Sequence, residues 1–416
     1  MHILVLNQFY WPSVAATAQL SADLCAALVA AGHRVTALAS QGDYVGGGER
    51  LPARAEHDGV QIRRLPAASF GKGTLAARLT DYASFYGLAA AATLSTAADV
   101  YLCLSTPPLI ALAGLQAARM RRGARFVYWC QDVYPDMAVA LGLLKADSAA
   151  ARLLAAASAR TLRGADRVVA IGDRMAAVLA ERGARDPVVI HNWSDGGAID
   201  PARAPAKADN RYRALAGAGP EDVLVVYAGN MGLAHDFSGL VHLLRAVGGT
   251  PAAARLRFLF VGEGARKRDL EAAVAQATAG QGDATGLKAT FLPYQPREAL
   301  PDLLCAADVH VVTMADEAAG LMVPSKLYGA MAAGRAVLLA GPGGTEADDI
   351  LRGLDCGRRV DAADGPGLLR ALEALVADDA GREAMGARAR TGFMATFDRA
   401  QACARFVAEV EALGPR

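Results

Sequence analysis

The sequence lacks a long apolar segment of the kind that leads a chain into or across a membrane. The first apolar run, Ile3–Leu6, is too short for the hydrophobic part of a secretory signal and has no basic flank. An uncharged stretch, the 17 residues between Asp81 and Asp99, is rich in alanine and too weakly apolar for a membrane span. We therefore expect a soluble or membrane-peripheral protein with a packed helix in this stretch.

The sequence also has almost no net charge, no closely spaced cysteines and few lysines. A formal net charge of +1 argues against a dedicated nucleic-acid binder. No Cys-x-x-Cys pair occurs, so we expect reduced thiols in the core of a cytoplasmic protein. Only 6 of the 43 basic residues are lysines, so each lysine is more informative than usual. The widely spaced cysteines are Cys25, Cys103, Cys130, Cys305, Cys356 and Cys403.

What the sequence does contain is a regular alternation of strand and helix patterns. At 416 residues the chain suits two domains of about 200 residues each. The predicted strands are Ile3–Leu6, Val35–Ala39, Val60–Leu65, Val100–Leu104, Phe126–Cys130, Val168–Ile171, Val188–Ile190, Val223–Ala228, Phe258–Val261, Ala289–Leu292, Val309–Thr313 and Ala336–Ala340. Nearly continuous apolar strands between helices are typical of parallel sheets covered on both faces. The predicted class is α/β, with two Rossmann-like doubly wound parallel-sheet domains and an inter-domain cleft at the carboxyl ends of the sheets.

The alternation breaks once, between His191 and Glu221, where the sequence is polar, rich in Gly, Pro and Ala, and without a strand pattern. We predict an N-terminal domain over residues 1–195 and a C-terminal domain over residues 196–395. A C-terminal helix over residues 396–416 is expected to pack back toward the first domain.

Two turns of the second domain could hold a phosphate. Gly229 and Gly232 follow a predicted strand, where glycine lets the backbone approach a ligand closely and free amides can donate to phosphate oxygens. Gly262 closes the next strand in the same way. A turn between a strand and a helix can also need glycine for steric reasons alone, so both explanations stay open.

The strongest local signal is the segment Gly320–Gly334. Pro324 suits the first turn of a helix, and Ser325 and Lys326 follow at once. A hydroxyl, an ammonium and helix-N-terminal amides in one place favour a dianion. The alternative is a solvated surface lysine. Gly334 is predicted to end the helix.

The opening turn of the first domain carries Gln8, Tyr10 and Trp11 and leads to a helix that Ser13 or Thr17 is expected to cap. Exposed aromatic rings on such a turn would pack on a ligand or on a neighbouring domain. Alternatively, the loop packs back on its own domain.

A second turn of the first domain follows the strand that ends at Cys130 and carries Asp132 and Asp136. A carboxylate at the end of a buried strand could bind sugar hydroxyls or take a proton from an attacking hydroxyl. Because Asp136 follows Pro135 and suits a helix N-cap, we assign it a structural role and Asp132 a functional one.

Several motifs follow one another along the chain. They are Trp129–Asp136 with Ala140–Gly142, His191–Trp193 with Asp195–Gly196, Gly229–Gly232 with Ala234–His235, Pro293–Arg297 with Ala307–His310, and Val323–Lys326 with Ala332–Arg335. Together they resemble the retaining glycosyltransferases of family 4, which have the fold called GT-B. The resemblance is strongest to the subgroup of colanic-acid, O-antigen and capsule biosynthesis, and it covers essentially the whole chain.

The resemblance implies that the second domain binds a nucleoside-diphosphate sugar. The donor-binding residues would be Gly229, Asn230, Met231, Gly232, Gly262, Tyr294, Gly320, Leu321, Ser325 and Lys326, with Tyr294 near the nucleobase. The acceptor-binding residues would be Gln8, Tyr10, Trp11 and Asp132. Lys326, Asp132 and His235 are the expected catalytic residues. Lys326 and helix amides would stabilise the leaving nucleoside diphosphate without a metal or other cofactor.

The chain also departs from the family's pattern. Asn230 and His235 stand where much of the family has an arginine and a lysine. Gly329 stands where a glutamate that normally contacts the ribose is expected. At the paired position eight residues earlier the chain has Leu321, and Glu317 is the nearest acid upstream.

The expected reaction moves a sugar, with retention, from the nucleotide to a glycan acceptor linked to a lipid such as a polyprenyl diphosphate, in surface polysaccharide synthesis. Two basic groups could attract an anionic membrane surface on the cytoplasmic side of the inner membrane. They are Arg119, Arg121, Arg122 and Arg125, and a looser set of Arg63, Arg64, Lys72 and Arg78. The alternative is that such cations complete the C-terminal ends of helices.

Two further functions fit the same fold. A nucleotide-sugar 2-epimerase also uses two such domains, although it usually needs further acid and base groups that the sequence does not supply in evident motifs. A nucleotide-sugar-binding partner subunit without turnover would explain the missing family residues.

Overall fold

The computed structural model describes residues 1–42, 44, 50–68, 75–278 and 287–414, with the backbone alone for residues 75–79. It divides the chain into two compact units. The N-terminal unit comprises Met1–Asn192 together with Ala400–Arg416, and the C-terminal unit comprises Trp193–Arg399. The predicted limits were residues 195 and 396.

The N-terminal unit is built on a sheet of eight strands in the order β3-β4-β2-β1-β5-β6-β7-β8 within the described residues. Its strands are β1 (His2–Leu6), β2 (Arg34–Ser40), β3 (Arg54–His57), β4 (Val60–Leu65), β5 (Val100–Leu104), β6 (Arg125–Trp129), β7 (Arg167–Ala170) and β8 (Val188–Val189). Its helices are α1 (Ala16–Ala30), α2 (Leu75–Ser95), α3 (Ala111–Met120), α4 (Asp136–Ala140), α5 (Ala149–Gly164) and α6 (Asp173–Glu181). The uncharged stretch before Asp99 lies mostly in α2.

The C-terminal unit is built on a six-stranded parallel sheet in the order β11-β10-β9-β12-β13-β14. Its strands are β9 (Val223–Ala228), β10 (Leu256–Val261), β11 (Ala289–Leu292), β12 (Val309–Thr313), β13 (Ala336–Ala340) and β14 (Gly357–Val360). Its helices are α7 (Arg211–Leu215), α8 (Ser238–Val247), α9 (Lys267–Thr278), α10 (Leu300–Ala306), α11 (Lys326–Ala332), α12 (Glu346–Leu354), α13 (Gly365–Ala377) and α14 (Asp379–Thr396). Short 3₁₀ turns occur at Pro251–Ala254, Arg297–Ala299 and Asp316–Ala318.

The side chains of β9 show why this sheet is covered on both faces. Val223, Val225 and Tyr227 point into one apolar cluster with α8 and α13. Leu224 and Val226 point into a second cluster with α7 and α10. Because successive side chains of a strand alternate between faces, a strand that is buried on both faces reads as a continuous apolar run.

The α/β class and the two parallel-sheet units are confirmed, and all twelve predicted strands are present. Two further strands, β3 and β14, were not predicted, because they lack the apolar run on which the strand prediction depended. β3 is a polar edge strand that pairs antiparallel with β4, so the N-terminal sheet is not wholly parallel. β14 is an edge strand of the C-terminal sheet and contains two arginines. All six cysteines are buried as thiols, as predicted.

The last helix, α15 (Arg399–Glu411), belongs almost entirely to the N-terminal unit. Phe406 packs edge-on against Trp129 of β6, with ring centroids 5.0 Å apart. Glu409 forms a 3.1 Å ion pair with Arg167 at the start of β7. The helix thus covers the strand that leads into the Asp132 turn.

Candidate functional site

The candidate donor site lies at the carboxyl ends of β9, β10 and β12, three adjacent strands of the C-terminal sheet. The turn after β9 carries Gly229–His235, and the turn after β10 carries Gly262 and Gly264. β12 ends at Thr313 and leads, through residues 314–325, into α11. Parallel topology therefore brings three separated segments to one edge of the sheet.

Lys326 is the first residue of α11. Ser325 is the N-cap, and its side chain makes no capping hydrogen bond. Pro324 therefore precedes the helix, and the expectation that it occupies the first turn is wrong. At the other end, Gly334 has φ +63°, a left-handed conformation that glycine adopts without strain, and it follows the helix as predicted.

The amine of Lys326 lies 3.1 Å from Nε2 of His235. The other ring nitrogen of His235, Nδ1, lies 2.6 Å from the carbonyl oxygen of Thr313. A carbonyl only accepts, so Nδ1 carries the proton, and Nε2 accepts a hydrogen bond from Lys326. Burial, followed by the charge of Lys326, lowers the pKa of His235 to about 3, and the Thr313 contact opposes this shift. His235 is therefore neutral near pH 7.

Three groups confine the half-buried Lys326 side chain. Besides His235, the ring of Tyr227 lies 5.0 Å from the amine. A Cβ on Gly229 would lie only 2.7 Å from Cε of Lys326, so the lysine stem passes where only glycine fits. Burial lowers the pKa of Lys326 to about 7. The solvated surface lysine that the sequence left open does not describe this environment.

The glycines of the two turns allow the turns to touch. A Cβ on Gly262 would lie 2.1 Å from the carbonyl oxygen of Gly229, and one on Gly264 would lie 2.3 Å from that of Met231. The amide of Gly229 donates to the carbonyl of Val261. The amide of Met231 donates to Glu263, also across the two turns. The steric requirement therefore explains the glycine at position 262. The amides of Gly229 and Met231 already donate to protein carbonyls.

The remaining predicted donor residues lie around this centre with fewer specific contacts. Tyr294 is partly buried, and its hydroxyl lies 3.4 Å from the carbonyl of Glu263. Gly320 has φ +73°, and Leu321 and Ser325 are partly exposed. The amide group of Asn230 lies over Gly232, where a Cβ would approach its Nδ2 to 2.6 Å.

The opening turn of the N-terminal unit packs on its own unit. The side chain of Tyr10 is 3% exposed, and Gln8 is also buried. The ring of Trp11 stacks on His57 with centroids 4.0 Å apart, and Arg64 donates to the Trp11 carbonyl at 2.7 Å. These contacts favour the packing explanation for both aromatics, while the carbonyl oxygen Oε1 of Gln8 is buried and has no donor among the described residues. The N-cap of α1 is Ala15 without a side-chain cap, so the predicted caps Ser13 and Thr17 are wrong.

Asp132 lies in a tight turn just after β6. The hydroxyl oxygen of Ser105 accepts from the amides of Gln131 and Asp132, each at 3.1 Å. Burial raises the pKa of the Asp132 carboxyl to about 6. The predicted N-cap role of Asp136 is wrong, because Pro135 is the N-cap of α4; the Asp136 carboxylate instead forms a 2.5 Å ion pair with Arg182.

Sequence reasoning missed a pair of amides beside this turn. The side chains of Gln131 and Asn192 exchange two hydrogen bonds, of 3.0 and 2.9 Å, and both are buried. Both residues lie in the motifs that carry the family resemblance. Their 61-residue separation gave no local signal of a contact.

The first basic group, Arg119 to Arg125, lies at the amino ends of the strands of the N-terminal sheet. Asp132 lies at the carboxyl ends, because Arg125 begins β6 and Asp132 follows its last residue. Arg121 donates to the carbonyl of Leu94 in the last turn of α2 at 2.6 Å. Arg125 pairs with Asp166 at 3.2 Å. The helix-end explanation therefore holds for Arg121, and Arg125 has an acidic partner. Arg119 and Arg122 are exposed. Lys72 and the side chain of Arg78 lie outside the described residues.

Two family models match the chain in sequence order. Residues 16–193 match the "Glycosyl transferase 4-like domain", and residues 222–378 match "Glycosyl transferases group 1". The chain belongs to the family 4 glycosyltransferases. The first match lies in the N-terminal unit except for its last residue, Trp193, and the second contains the turns around Lys326.

Two curated relatives are similar to this family 4 chain. One is a probable glycosyltransferase, WbjE, of Pseudomonas aeruginosa, 30% identical over 267 residues, which are 61% of this chain and 60% of the relative. The other is WcaI of Escherichia coli K12, described as a putative colanic acid biosynthesis glycosyl transferase. It is 30% identical over 251 residues, 58% of this chain and 57% of the relative. The matches span about three fifths of either relative's length.

Solved structures of low sequence identity share the fold over nearly the whole chain. Sucrose-phosphate synthase from Thermosynechococcus elongatus has a TM-score of 0.73 at 18% identity, with 99% of both chains covered. WaaG, a glycosyltransferase involved in lipopolysaccharide biosynthesis, has 0.70 at 16%, with 98% of this chain and 99% of WaaG covered. HepE of Anabaena in complex with UDP-glucose has 0.67 at 16%, with 99% of each covered. These likenesses establish the GT-B fold.

Within the described residues, every helix is too short or too polar to cross a bilayer.

Proposed function

We propose that this family 4 chain is a retaining glycosyltransferase that moves a sugar from a nucleoside diphosphate to a lipid-linked glycan. The observation that carries the proposal is Lys326, a lysine held at the carboxyl edge of the C-terminal sheet by His235, Tyr227 and Gly229. A cation confined at this edge is suited to a diphosphate, which carries negative charge both before and after the sugar leaves.

Lys326 has the central role in the proposed chemistry. When the bond between the anomeric carbon and the diphosphate breaks, negative charge develops on the leaving oxygen. A cation already in place stabilises that charge without reorganisation, and no metal is required. The HepE structure, which is a complex with UDP-glucose, supports a nucleotide sugar as the donor class. Retention at the anomeric carbon is proposed from the family.

Asp132 has the proposed role on the acceptor side. Burial raises the pKa of its carboxyl to about 6, so it is ionised at neutral pH yet basic enough to hold an acceptor hydroxyl and favour its deprotonation. The backbone of the turn is anchored by two amide hydrogen bonds to Ser105. We include Gln8 in the acceptor site because the family resemblance implies it and its Oε1 has no hydrogen-bond donor among the described residues.

The acceptor in this proposal is a glycan on a polyprenyl diphosphate, and the enzyme acts at the cytoplasmic face of the inner membrane in surface polysaccharide synthesis. The name of the WcaI relative, which refers to colanic acid biosynthesis, supports the pathway class. Exposed Arg119 and Arg122 would contribute attraction to anionic lipid, about 1 kcal/mol each near a charged surface.

The test is a nucleotide-release assay with UDP-, GDP- and dTDP-sugars, with and without a membrane extract that supplies lipid-linked acceptors. We expect nucleotide release with one donor that depends on the acceptor, and a labelled lipid product with the retained anomer. Epimerised sugar without transfer would indicate the epimerase. Tight binding without turnover would indicate a binding subunit.

Lys326→Ala tests the carrying observation directly. We expect kcat/KM for the donor to fall by a factor of about 100 to 1,000, because one preorganised charge is lost at the leaving group. Lys288→Ala is the matched control, since Lys288 is an exposed lysine of the same unit. Equal activities of the two variants, with both folded by circular dichroism, would remove Lys326 from the site.

A further inference from the structure

Among the residues that the structure describes, no carboxylate lies within ion-pair distance of the Lys326 amine. Tyr227 from β9 presents its ring, the turn after β9 presents the neutral His235, and β12 presents the Thr313 carbonyl that His235 contacts. β13 consists of alanine, valine and leucine. α14 contributes Arg390, a cation, which donates to the carbonyl of Ala332 at the far end of α11. Across the part of the chain described, Lys326 has no carboxylate partner.

His235 cannot supply the missing charge, because its geometry fixes its protonation. Its Nδ1 proton is donated to the Thr313 carbonyl at 2.6 Å, and its Nε2 lone pair faces Lys326 at 3.1 Å. A second ring proton would point at the lysine amine and place two cations side by side. His235 therefore acts toward Lys326 only as a hydrogen-bond acceptor. It fixes where the amine lies and leaves its charge uncompensated.

We infer that the diphosphate of a nucleotide-sugar donor binds together with one proton, which Lys326 takes up, and that His235 is the positioning residue that holds the amine ready. The inference rests on the proposed function, and it adds a linkage between donor binding and pH. The proton comes from solvent and adds to the lone pair of Nζ. No other bond forms or breaks in this step.

The direction of the linkage follows from the two states of the amine. In the free protein, burial lowers the pKa of Lys326 to about 7, so the amine is mostly neutral above that pH. A bound dianion stabilises the ammonium and raises the pKa again. Donor affinity is therefore full below about pH 7 and falls about tenfold per pH unit above it, until the pKa of the complex is reached.

The experiment is isothermal titration calorimetry with UDP-glucose, GDP-mannose and dTDP-glucose in two buffers of different ionisation enthalpy. The diphosphate of a nucleotide sugar does not titrate between pH 6 and 8, so proton uptake then reports on the protein. For the donor that binds, we expect uptake that approaches one proton at pH 8 and is much smaller at pH 6.

Lys326→Arg is the decisive variant, since arginine remains charged throughout this range. It should bind the same donor with uptake near zero at both pH values. Binding by the wild-type protein without uptake at pH 8, or equal uptake by Lys326→Arg, overturns the inference and leaves the proposed function standing. Absence of binding by all three donors, together with absence of nucleotide release, overturns both.

Two substitutions of His235 separate its two hydrogen bonds. His235→Asn keeps a donor near the Thr313 carbonyl and loses the acceptor for Lys326. His235→Gln keeps an acceptor near the amine. Because a hydrogen bond to a charged group stabilises the ammonium, the pH at which affinity begins to fall should drop by about one unit in His235→Asn and stay near 7 in His235→Gln. Identical profiles in the two folded variants would exclude the positioning role.

Discussion

The carboxyl group of Asp132 gains its chemistry from burial. The turn is fixed by Ser105, and the thiol of Cys130 donates to the backbone carbonyl of Asp132 at 3.3 Å. None of these bonds reaches the carboxylate oxygens, so desolvation dominates and raises the pKa to about 6. A carboxyl of this kind changes charge within the working range of an enzyme.

We expect kcat/KM for the acceptor to fall about tenfold per pH unit below about pH 6, because protonation of Asp132 removes the proposed proton acceptor. Asp132→Asn should reduce the rate roughly 100-fold and abolish this acid limb. The pH–rate profile of Asp136→Asn serves as the control, since Asp136 pairs with Arg182. If Asp132→Asn shows the same fall in kcat/KM at low pH, that fall comes from another group.

Gly262 is a residue whose backbone conformation and surroundings both require glycine. Its φ is +133°, and a Cβ would lie 2.1 Å from the carbonyl oxygen of Gly229. Gly262→Ala should therefore lower the free energy of unfolding by more than about 2 kcal/mol in urea titrations. Gly353→Ala, in α12 with open space at its Cβ, should raise it by about 0.5–1 kcal/mol. The same sign for both variants would contradict this explanation.

At the scale of elements, α7 is held to the sheet by a buried charge cluster. Asp308, just before β12, accepts from Arg213 of α7 and from Lys207, both at 2.7 Å, and from the amide of Leu224 at 2.8 Å. Burial alone would raise the pKa of Asp308, but the hydrogen bonds from Lys207, Arg213 and Leu224 outweigh it and lower the pKa. The carboxylate thus fixes a five-residue helix that is too short to be stable alone.

Asp308→Asn should destabilise the C-terminal unit by about 3 kcal/mol, because the buried Arg213 guanidinium loses its counter-charge. Since the pKa of Asp308 is lowered on folding, its stabilisation is present above the ordinary aspartate pKa and is lost as the pH falls below it. Urea unfolding at pH 7 and pH 3 measures both effects. Exposed Asp209 provides the control, and an Asp209→Asn change should have almost no effect.

The elements that sequence patterns predicted are those with a continuous apolar run. Central strands such as β9 and β12 are buried on both faces, and their limits were predicted without error. The edge strands β3 and β14 and the helix α7 were missed, because partial exposure or a single polar network replaces the apolar run. Local patterns carry little information about such elements.

The candidate site was predictable as a set of residues but not as an arrangement. Lys326 and His235 lie 91 residues apart, and their contact follows from the position of β12 beside β9. Sheet order is a property of the whole unit that the local patterns do not specify. His235 could be recognised as a hydrogen-bond acceptor for Lys326 only once its contacts with both the Thr313 carbonyl and the Lys326 amine were known.

At the scale of the whole molecule, the chain returns at its C-terminal end to the unit in which it began. Phe406 of α15 is fully buried against Trp129, within the N-terminal unit. Phe406→Ala should lower the free energy of unfolding of that unit by about 3–5 kcal/mol, because a large cavity is left beside β6. The red shift of tryptophan fluorescence in urea measures it. Leu153→Ala, at a position that is 71% exposed in the same unit, should leave the midpoint unchanged.

This return of the chain also sets an order of assembly during synthesis. Residues 1–192 leave the ribosome first, yet Trp129 of their sheet lacks its Phe406 contact until α15 has been translated. The N-terminal unit is therefore begun first and completed last, and its Trp129 ring lacks this apolar partner while the C-terminal unit is being made. A ribosome stalled before residue 400 would therefore hold an N-terminal unit without its last helix.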